Sequence, residues 1–252
     1  RLKLVPQERG SFLRVERPDE PQVGFTLWAP EWISFPNLGY SDQELGGMEL
    51  DWKLNDPTGA VSFTIERFNA TFHAEFTPHL DYVECSYTVW PHPETVLPPT
   101  FAVGPCQQMK DGIFEGEEHE MMSRMWFISG DKWVRLSTCA GGNPRNVQYV
   151  TGHASPEMTG AMAENGWRTI QSPRPDSPLL ACVSRDGKWI AATAAENGNS
   201  ICNNAGPSHR CMHSHGVAPV NANAPSTLRV HAYLLKGSLQ DIRARYDRDY
   251  AR

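Results

Sequence analysis

The sequence contains no Cys-x-x-Cys pair, no cluster of Lys and Arg, and no long apolar run. Each absence removes a class of protein. Without Cys-x-x-Cys, zinc ribbons and thioredoxin-like redox chemistry fall away. The 23 Lys and Arg stand against 29 Asp and Glu, for a net charge of −6, and the richest basic run, Arg243–Arg252, is broken by Asp247 and Asp249. A nucleic-acid footprint needs basic residues gathered on one face, so no nucleic-acid partner is expected. No stretch approaches the roughly 18 uninterrupted apolar residues of a membrane span, so no membrane partner is expected either. There is no G-x-G-x-x-G after a strand, no phosphate-cradling G-x-x-x-x-G-K and no G-x-S-x-G elbow, which sets aside dehydrogenases, P-loop enzymes and α/β-hydrolases. The chain opens at Arg1 without Met or a signal-peptide core, which suggests a processed chain whose location must be inferred indirectly.

What is present is enough for a core. Apolar residues make up 40% of the 252 and aromatics 10%, which excludes a disordered chain. The periodicity is that of strands. Residues 60–68, 70–78 and 81–91 are three runs rich in Val, Ile, Thr, Tyr and Phe; Val61, Phe63 and Ile65 alternate with Ser62, Thr64 and Glu66. Short connections make them an antiparallel meander. Met125–Ser137 reads as a hairpin turning at Gly130-Asp131, Leu179–Ala195 as another turning at Asp186-Gly187, and Leu228–Leu235 as a further strand. Helix is expected only over residues 238–250, where Ser238 is the N-cap and Leu239, Ile242 and Tyr246 share a face. The N-terminal part, residues 91–105 and residues 141–178 read as loop-rich. The expectation is one all-β domain over residues 1–252, an antiparallel β-sandwich or jelly roll with a short C-terminal helix.

The densest chemistry lies in Glu196–Gly216, ENGNSICNNAGPSHRCMHSHG, which reads as a His/Arg-rich loop running into a strand. His213 and His215, one residue apart, project from the same face of a strand. Three readings compete. In the first, His213, His215 and Arg210 form a catalytic group with Tyr149. Arg210 clamps a substrate carboxylate, a histidine removes a proton, and Tyr149 (ahead of Tyr40 and Tyr233) protonates the leaving oxygen. That is the chemistry of elimination on a uronic-acid polymer. In the second, His209, His213 and His215 bind a divalent metal (Zn, Ca, Mn, Fe or Cu), as in a cupin-like metalloenzyme doing oxidative or isomerase chemistry. The further ligands would come from His73, His79, His92, His153, Glu117, Glu118 or His119; the carboxylate expected shortly after a cupin His-x-His is missing, since no acid follows His215 before Asp241. In the third, the histidines merely hydrogen-bond an irregular segment in place.

Neighbouring residues extend the first reading. Asn203, Asn204, His153 and Trp32 are candidate saccharide contacts, because amides both donate and accept and indoles stack on sugar C–H faces. Asn197 and Asn199 join them, with turn geometry as the alternative. Glu115–Glu120 reads as a solvated loop, or as ligands for calcium or paired carboxylates. Among the tryptophans, Trp28, Trp32 and Trp52 are placed outside the strands, and Trp90, Trp126, Trp133 and Trp189 within them. Cys202 and Cys211 are the candidate disulfide, which would imply an oxidising compartment; Cys85, Cys106 and Cys182 read as buried thiols. The sequon Asn69-Ala-Thr71 decides nothing. The sequence thus points to a secreted or periplasmic carbohydrate-active enzyme of the polysaccharide lyase or hydrolase type. A cupin-like metalloenzyme is the alternative, and a non-catalytic carbohydrate-binding module the second. No family motif matches residue by residue.

Overall fold

The computed structural model describes residues 1–7, 12–36, 38–40, 48, 50–109, 112–150, 166–205, 210–221 and 223–250. Their strands form two nine-stranded sheets. The first runs β1 (Lys3–Pro6), β2 (Phe12–Glu16), β3 (Gly24–Phe35), β9 (Thr100–Gln108), β17 (Cys211–Pro219), β16 (Gly198–Asn204), β12 (Arg145–Tyr149) and β13 (Arg168–Thr169). The short β4 (Gly39–Tyr40) pairs with β3. The second runs β11 (Lys132–Arg135), β10 (Met125–Ser129), β14 (Leu180–Val183), β15 (Trp189–Ala195) and β18 (Ser226–Lys236). It continues through β8 (Tyr82–Pro91), β7 (Ala70–Pro78), β6 (Thr58–Ile65) and β5 (Lys53–Asn55). Neighbours are antiparallel except β12 and β13. The architecture is the antiparallel sandwich that strand alternation predicts.

Alternation also explains the core. Leu13, Val15, Phe25, Leu27 and Phe35 of the first sheet meet Val61, Phe63, Phe72, Phe76 and Val83 of the second in one buried cluster. The other face of the second sheet has its own apolar cluster. There Ile128, Ile190, Ala192 and Tyr233 are covered by the C-terminal helix, whose Leu239, Ile242 and Tyr246 lie on one side. That helix spans Leu239–Asp249 and opens in a capping box. The Ser238 hydroxyl accepts from the Asp241 amide, and the Asp241 carboxylate accepts from the Ser238 amide at 2.7 Å. Arg245 fixes its far end, reaching Asp249 at 2.9 Å and Asp81 at 2.6 Å. Ser238→Ala is expected to cost about 1 kcal/mol. A thermal melt reads this as a midpoint lowered by about 2–4 °C in a chain of this size; an unchanged midpoint would show that the packed face holds the helix without its cap.

Four expectations need correcting. The N-terminal part is not loop-rich: β3 is a strand of 12 residues carrying both Trp28 and Trp32. Residues 91–105 are loop only in part, since β9 starts at Thr100 and runs through Pro105. Helix is not confined to the C-terminus. Glu118–Arg124 is a short α-helix, so Glu115–Glu120 is a loop only in its first half. Met121 and Met122 are buried under that helix, and Arg124 ties it down by donating to the carbonyls of Phe114, Glu115 and Val183. Finally, the supposed His/Arg-rich loop is mostly strand: β16 and β17 pair as a hairpin in the middle of the first sheet.

Candidate functional site

The central strands of the first sheet are buried on both sides. On the core side, Met212 joins the hydrophobic cluster and Ser214 donates to the Pro178 carbonyl at 2.7 Å. The alternate residues Cys211, His213 and His215 occupy the outer face and are also buried, His213 at 2% exposure and His215 at 6%. This outer face is the candidate site.

Register lays it out in rows. Tyr149 on β12 stands opposite Ser200 on β16, which stands opposite His215 on β17. The pairs Cys211↔Gln108 and Gly216↔Val103 bracket β9, bringing Gly104 beside His215 and Cys106 beside His213. Trp32 on β3 pairs with Gly104. The next row holds Val147, Cys202, His213, Cys106 and Trp28, and a third holds Arg145, Asn204, Cys211, Gln108 and Thr26.

A bulge in β3 brings in what the regular sheet could not. Between Trp28 and Trp32 the register shifts, so residues 29–31 stand against Pro105. Glu31 reaches over the sheet and sets its carboxylate 3.4 Å from Nδ1 of His213. Trp32 lies across β9: a Cβ at Gly104 would fall inside its indole ring. The indole meets His215 edge-on at 4.8 Å between centroids. Glycine is needed at 104 for this close approach.

The hydrogen bonds of the two imidazoles differ. His215 has Ser200 Oγ at 3.0 Å from Nδ1 and Cys202 Sγ at 3.3 Å from Nε2. Burial lowers its pKa to about 3, so the ring is neutral at physiological pH. His213 has Cys211 Sγ at 3.1 Å from Nε2 as well as Glu31 beside Nδ1, and the two rings lie 5.6 Å apart. Burial, reinforced by neighbouring Cys211, pushes the Cys106 thiol well above its usual range; Cys202 is raised in the same way, with Cys211 and Glu31 adding to burial.

Two groups of metal-ligating atoms gather among the described residues. In one, donor atoms of Glu31, Cys106, Cys211 and His213 all lie within 4.8 Å of one another; in the other, those of Cys202, His213 and His215 do. Glu117 and His119 belong to neither group. His73, His79 and His92 sit by the second sheet, hydrogen-bonded to Ser62, stacked on Tyr82 and hydrogen-bonded to Thr71 respectively.

The face unites His213, His215, Tyr149, Asn204 and Trp32. It does not hold Asn203, which alternates to the core side. There its amide nitrogen donates to the Pro144 carbonyl at 3.0 Å and its oxygen accepts from Asn146 at 3.3 Å. Arg210 immediately precedes β17 with a φ of +44°. Its carbonyl accepts from the Met109 amide at 2.8 Å. Asn197 has a φ of +49°, in keeping with a turn. Tyr233, on the second sheet, donates its hydroxyl to Asp249 at 2.9 Å. Trp52 packs on Phe76. His153 and His209 lie outside the described residues, as does the side chain of Tyr40.

The expected disulfide is not formed: Cys202 and Cys211 are free thiols, as are Cys85, Cys106, Cys139 and Cys182. Cys202 faces His213 and Cys211 faces Asn204, so the two cysteines lie on a diagonal and each sulfur meets a histidine instead. The inference of an oxidising compartment loses that support. Sequence reasoning missed Glu31 and Cys106 as site residues. The usable signals were Pro30, which interrupts an otherwise strand-like run, and Gly104 within a strand.

No family model matches the chain, and no curated protein sequence does. Solved structures do. A galactose mutarotase related enzyme from Lactobacillus acidophilus superposes with a TM-score of 0.51 at 7% identity, covering 95% of this chain and 99% of that one. A putative aldose 1-epimerase from Escherichia coli K12 gives 0.45 at 7% identity, over 94% and 99%. A putative mutarotase from Salmonella typhimurium gives 0.41 at 10% identity, over 94% of each chain. Of these three, the first is near enough to share a fold, and at that identity the likeness extends to fold alone: the chain is a β-sandwich with the fold of that structure.

Proposed function

We propose that this protein is a carbohydrate-active enzyme that moves protons on a hydroxyl-rich or acidic saccharide, reached at the outer face of the first sheet where Tyr149, Arg145 and Trp32 are half-buried. The observation that carries the reading is the row Tyr149–Ser200–His215, with the indole of Trp32 closing its end over Gly104. Such a row offers a phenol as proton donor, a neutral imidazole linked to it through the Ser200 hydroxyl as a path for a proton, and an indole whose face can stack on the C–H face of a sugar. Arg145 and Asn204, two rows away on the same face, extend it with a guanidinium for a carboxylate and an amide for hydroxyls. Fold is not function, yet a shared fold with an enzyme whose name refers to galactose agrees with a saccharide ligand.

Within that class, reactions needing one base and one acid fit better than hydrolysis by paired carboxylates, which requires two acids flanking one bond. Glu31 is the single carboxylate in either buried cluster. Elimination on a uronate polymer and interconversion at a free anomeric centre both meet the condition.

The test is a pair of assays on the purified chain. Ultraviolet absorbance reports unsaturated uronate formed from acidic polysaccharides, and polarimetry reports anomer interconversion of free aldoses. Turnover in either, reduced about 10²–10⁴-fold in His215→Ala and in Tyr149→Phe, is the expected result. Silence in both assays, or a His215→Ala variant as active as the parent, would overturn the reading.

A further inference from the structure

Glu31, Cys106, Cys211 and His213 come from β3, β9 and β17, and their ligand atoms already lie within 4.8 Å of one another in a buried setting. We propose that these four side chains form a binding site for a zinc-class divalent ion, distinct in its ligand set from the His209–His213–His215 site that the sequence suggests.

Three observations support it. The first is geometry: a tetrahedral zinc ion with sulfur at about 2.3 Å and nitrogen or oxygen at about 2.0 Å spaces its ligands by about 3.3–3.8 Å. Donors that all lie within 4.8 Å need only small rotations to reach that spacing. The second is chemistry. Two thiols, an imidazole and a carboxylate are a set for a borderline-soft ion and a poor one for calcium or magnesium, which take oxygen ligands. The third is the way the carboxylate arrives. Glu31 is carried by the β3 bulge over a sheet face where the next residues in register are cysteines and histidines, and its side chain is only 14% exposed. That arrival adds an oxygen donor to the sulfur and imidazole donors of the neighbouring strands.

The competing group of Cys202, His213 and His215 offers three donors without a carboxylate, and Nδ1 of its His215 is held by Ser200, which is no metal ligand there. Around the four-residue set, the buried residues Gln108 and Asn204 flank Cys211 in register, and the Gln108 side chain hydrogen-bonds the Cys106 thiol. Binding balances simply. Each thiol gives up its proton to solvent as its sulfur joins the ion, so loading one divalent ion releases two protons from Cys106 and Cys211. With four protein ligands the ion has no open position, and its effect is to pin three strands at one point. The row of Tyr149, Ser200 and His215 stays outside it, so this proposal stands or falls separately from the saccharide reading.

The test uses the full chain with Zn²⁺ and Co²⁺ as probes and no sugar present. Elemental analysis after exposure to zinc and gel filtration is expected to find about one ion per chain. The cobalt form should show thiolate-to-metal charge transfer and the strong visible bands of tetrahedral Co²⁺. Cys106→Ser and Cys211→Ser should each weaken zinc binding by at least about 100-fold in competition with a chromophoric chelator, a floor set by what lesser, outer-shell changes cost. Cys139→Ser, at a half-buried thiol in neither group, should bind as the parent does. If one cysteine variant fails to fold, the cobalt spectrum of the parent and the other variant still decide. A parent chain that takes up no zinc and gives no charge-transfer band overturns the proposal. So does binding that survives Cys106→Ser but is lost in Cys202→Ser or His215→Ala.

Discussion

Gly104→Ala is expected to lower the proposed saccharide turnover at least about 100-fold while leaving both sheets assembled. The added methyl would occupy the space of the Trp32 indole, and β9 cannot retreat from it because that strand is hydrogen-bonded to β3 on one side and β17 on the other. The indole is the part that yields. It would lose its edge contact with His215 and its place at the end of the Tyr149–Ser200–His215 row. Displacements of about 1 Å in a positioning group cost on the order of 10²-fold in rate, and an indole expelled from its seat moves further than that. The expected result is a kcat/KM lowered by at least about 100-fold with an unchanged far-ultraviolet circular dichroism spectrum. A shift in tryptophan emission, measured without substrate, reports the displacement independently of activity. A variant with parental emission and parental turnover would show that Trp32 does not depend on the glycine.

Phe72→Ala carries the largest expected cost in stability, about 3–5 kcal/mol. Phe72 is 1% exposed on β7 and stands at the centre of an aromatic group that bridges the sheets. It stacks on Phe63 at 5.7 Å, meets Phe68 edge-on at 6.4 Å, and faces Phe35 of β3 at 6.3 Å. Removing the ring leaves a cavity between two hydrogen-bonded sheets, neither of which can collapse into it, so the upper part of the range applies. Against a typical total of about 5–15 kcal/mol, that is a large share. Urea unfolding should show a much lower midpoint with the slope retained; Phe72→Leu should recover part of the loss. A loss under about 1 kcal/mol would mean that the sheets are held together elsewhere.

The parts of the fold legible in the sequence are those where neighbours in the chain are neighbours in space. The meander of residues 60–91, the hairpins at Gly130-Asp131 and Asp186-Gly187, and the helix after Ser238 all rest on local alternation, turn residues or a cap. β3 and β9 were obscured because each carries a proline, Pro30 and Pro105, where a regular ladder would not accept one; both lie at the bulge that distorts the pairing. The helix at Glu118–Arg124 leaves little mark in the sequence because it spans only 7 residues, with its burial confined to the Met121-Met122 pair.

The site divides in the same way. His213 and His215 share a face because of their spacing, which strand periodicity alone supplies. That Tyr149 and Trp32 share the face with them depends on register across β12, β16, β17, β9 and β3, and register between strands distant in sequence leaves no mark in composition. Asn203 and Asn204 illustrate the limit: adjacent in sequence and alike in chemistry, they fall on opposite sides of the sheet.

β17 thus answers to two separate demands within one stretch of chain. Met212 and Ser214 face the core between the sheets, while Cys211, His213 and His215 face the other side of the first sheet, and both sets are shielded from water. The odd-numbered positions thus carry polar and sulfur chemistry on the far side of the sheet from the even-numbered contacts that close the sandwich.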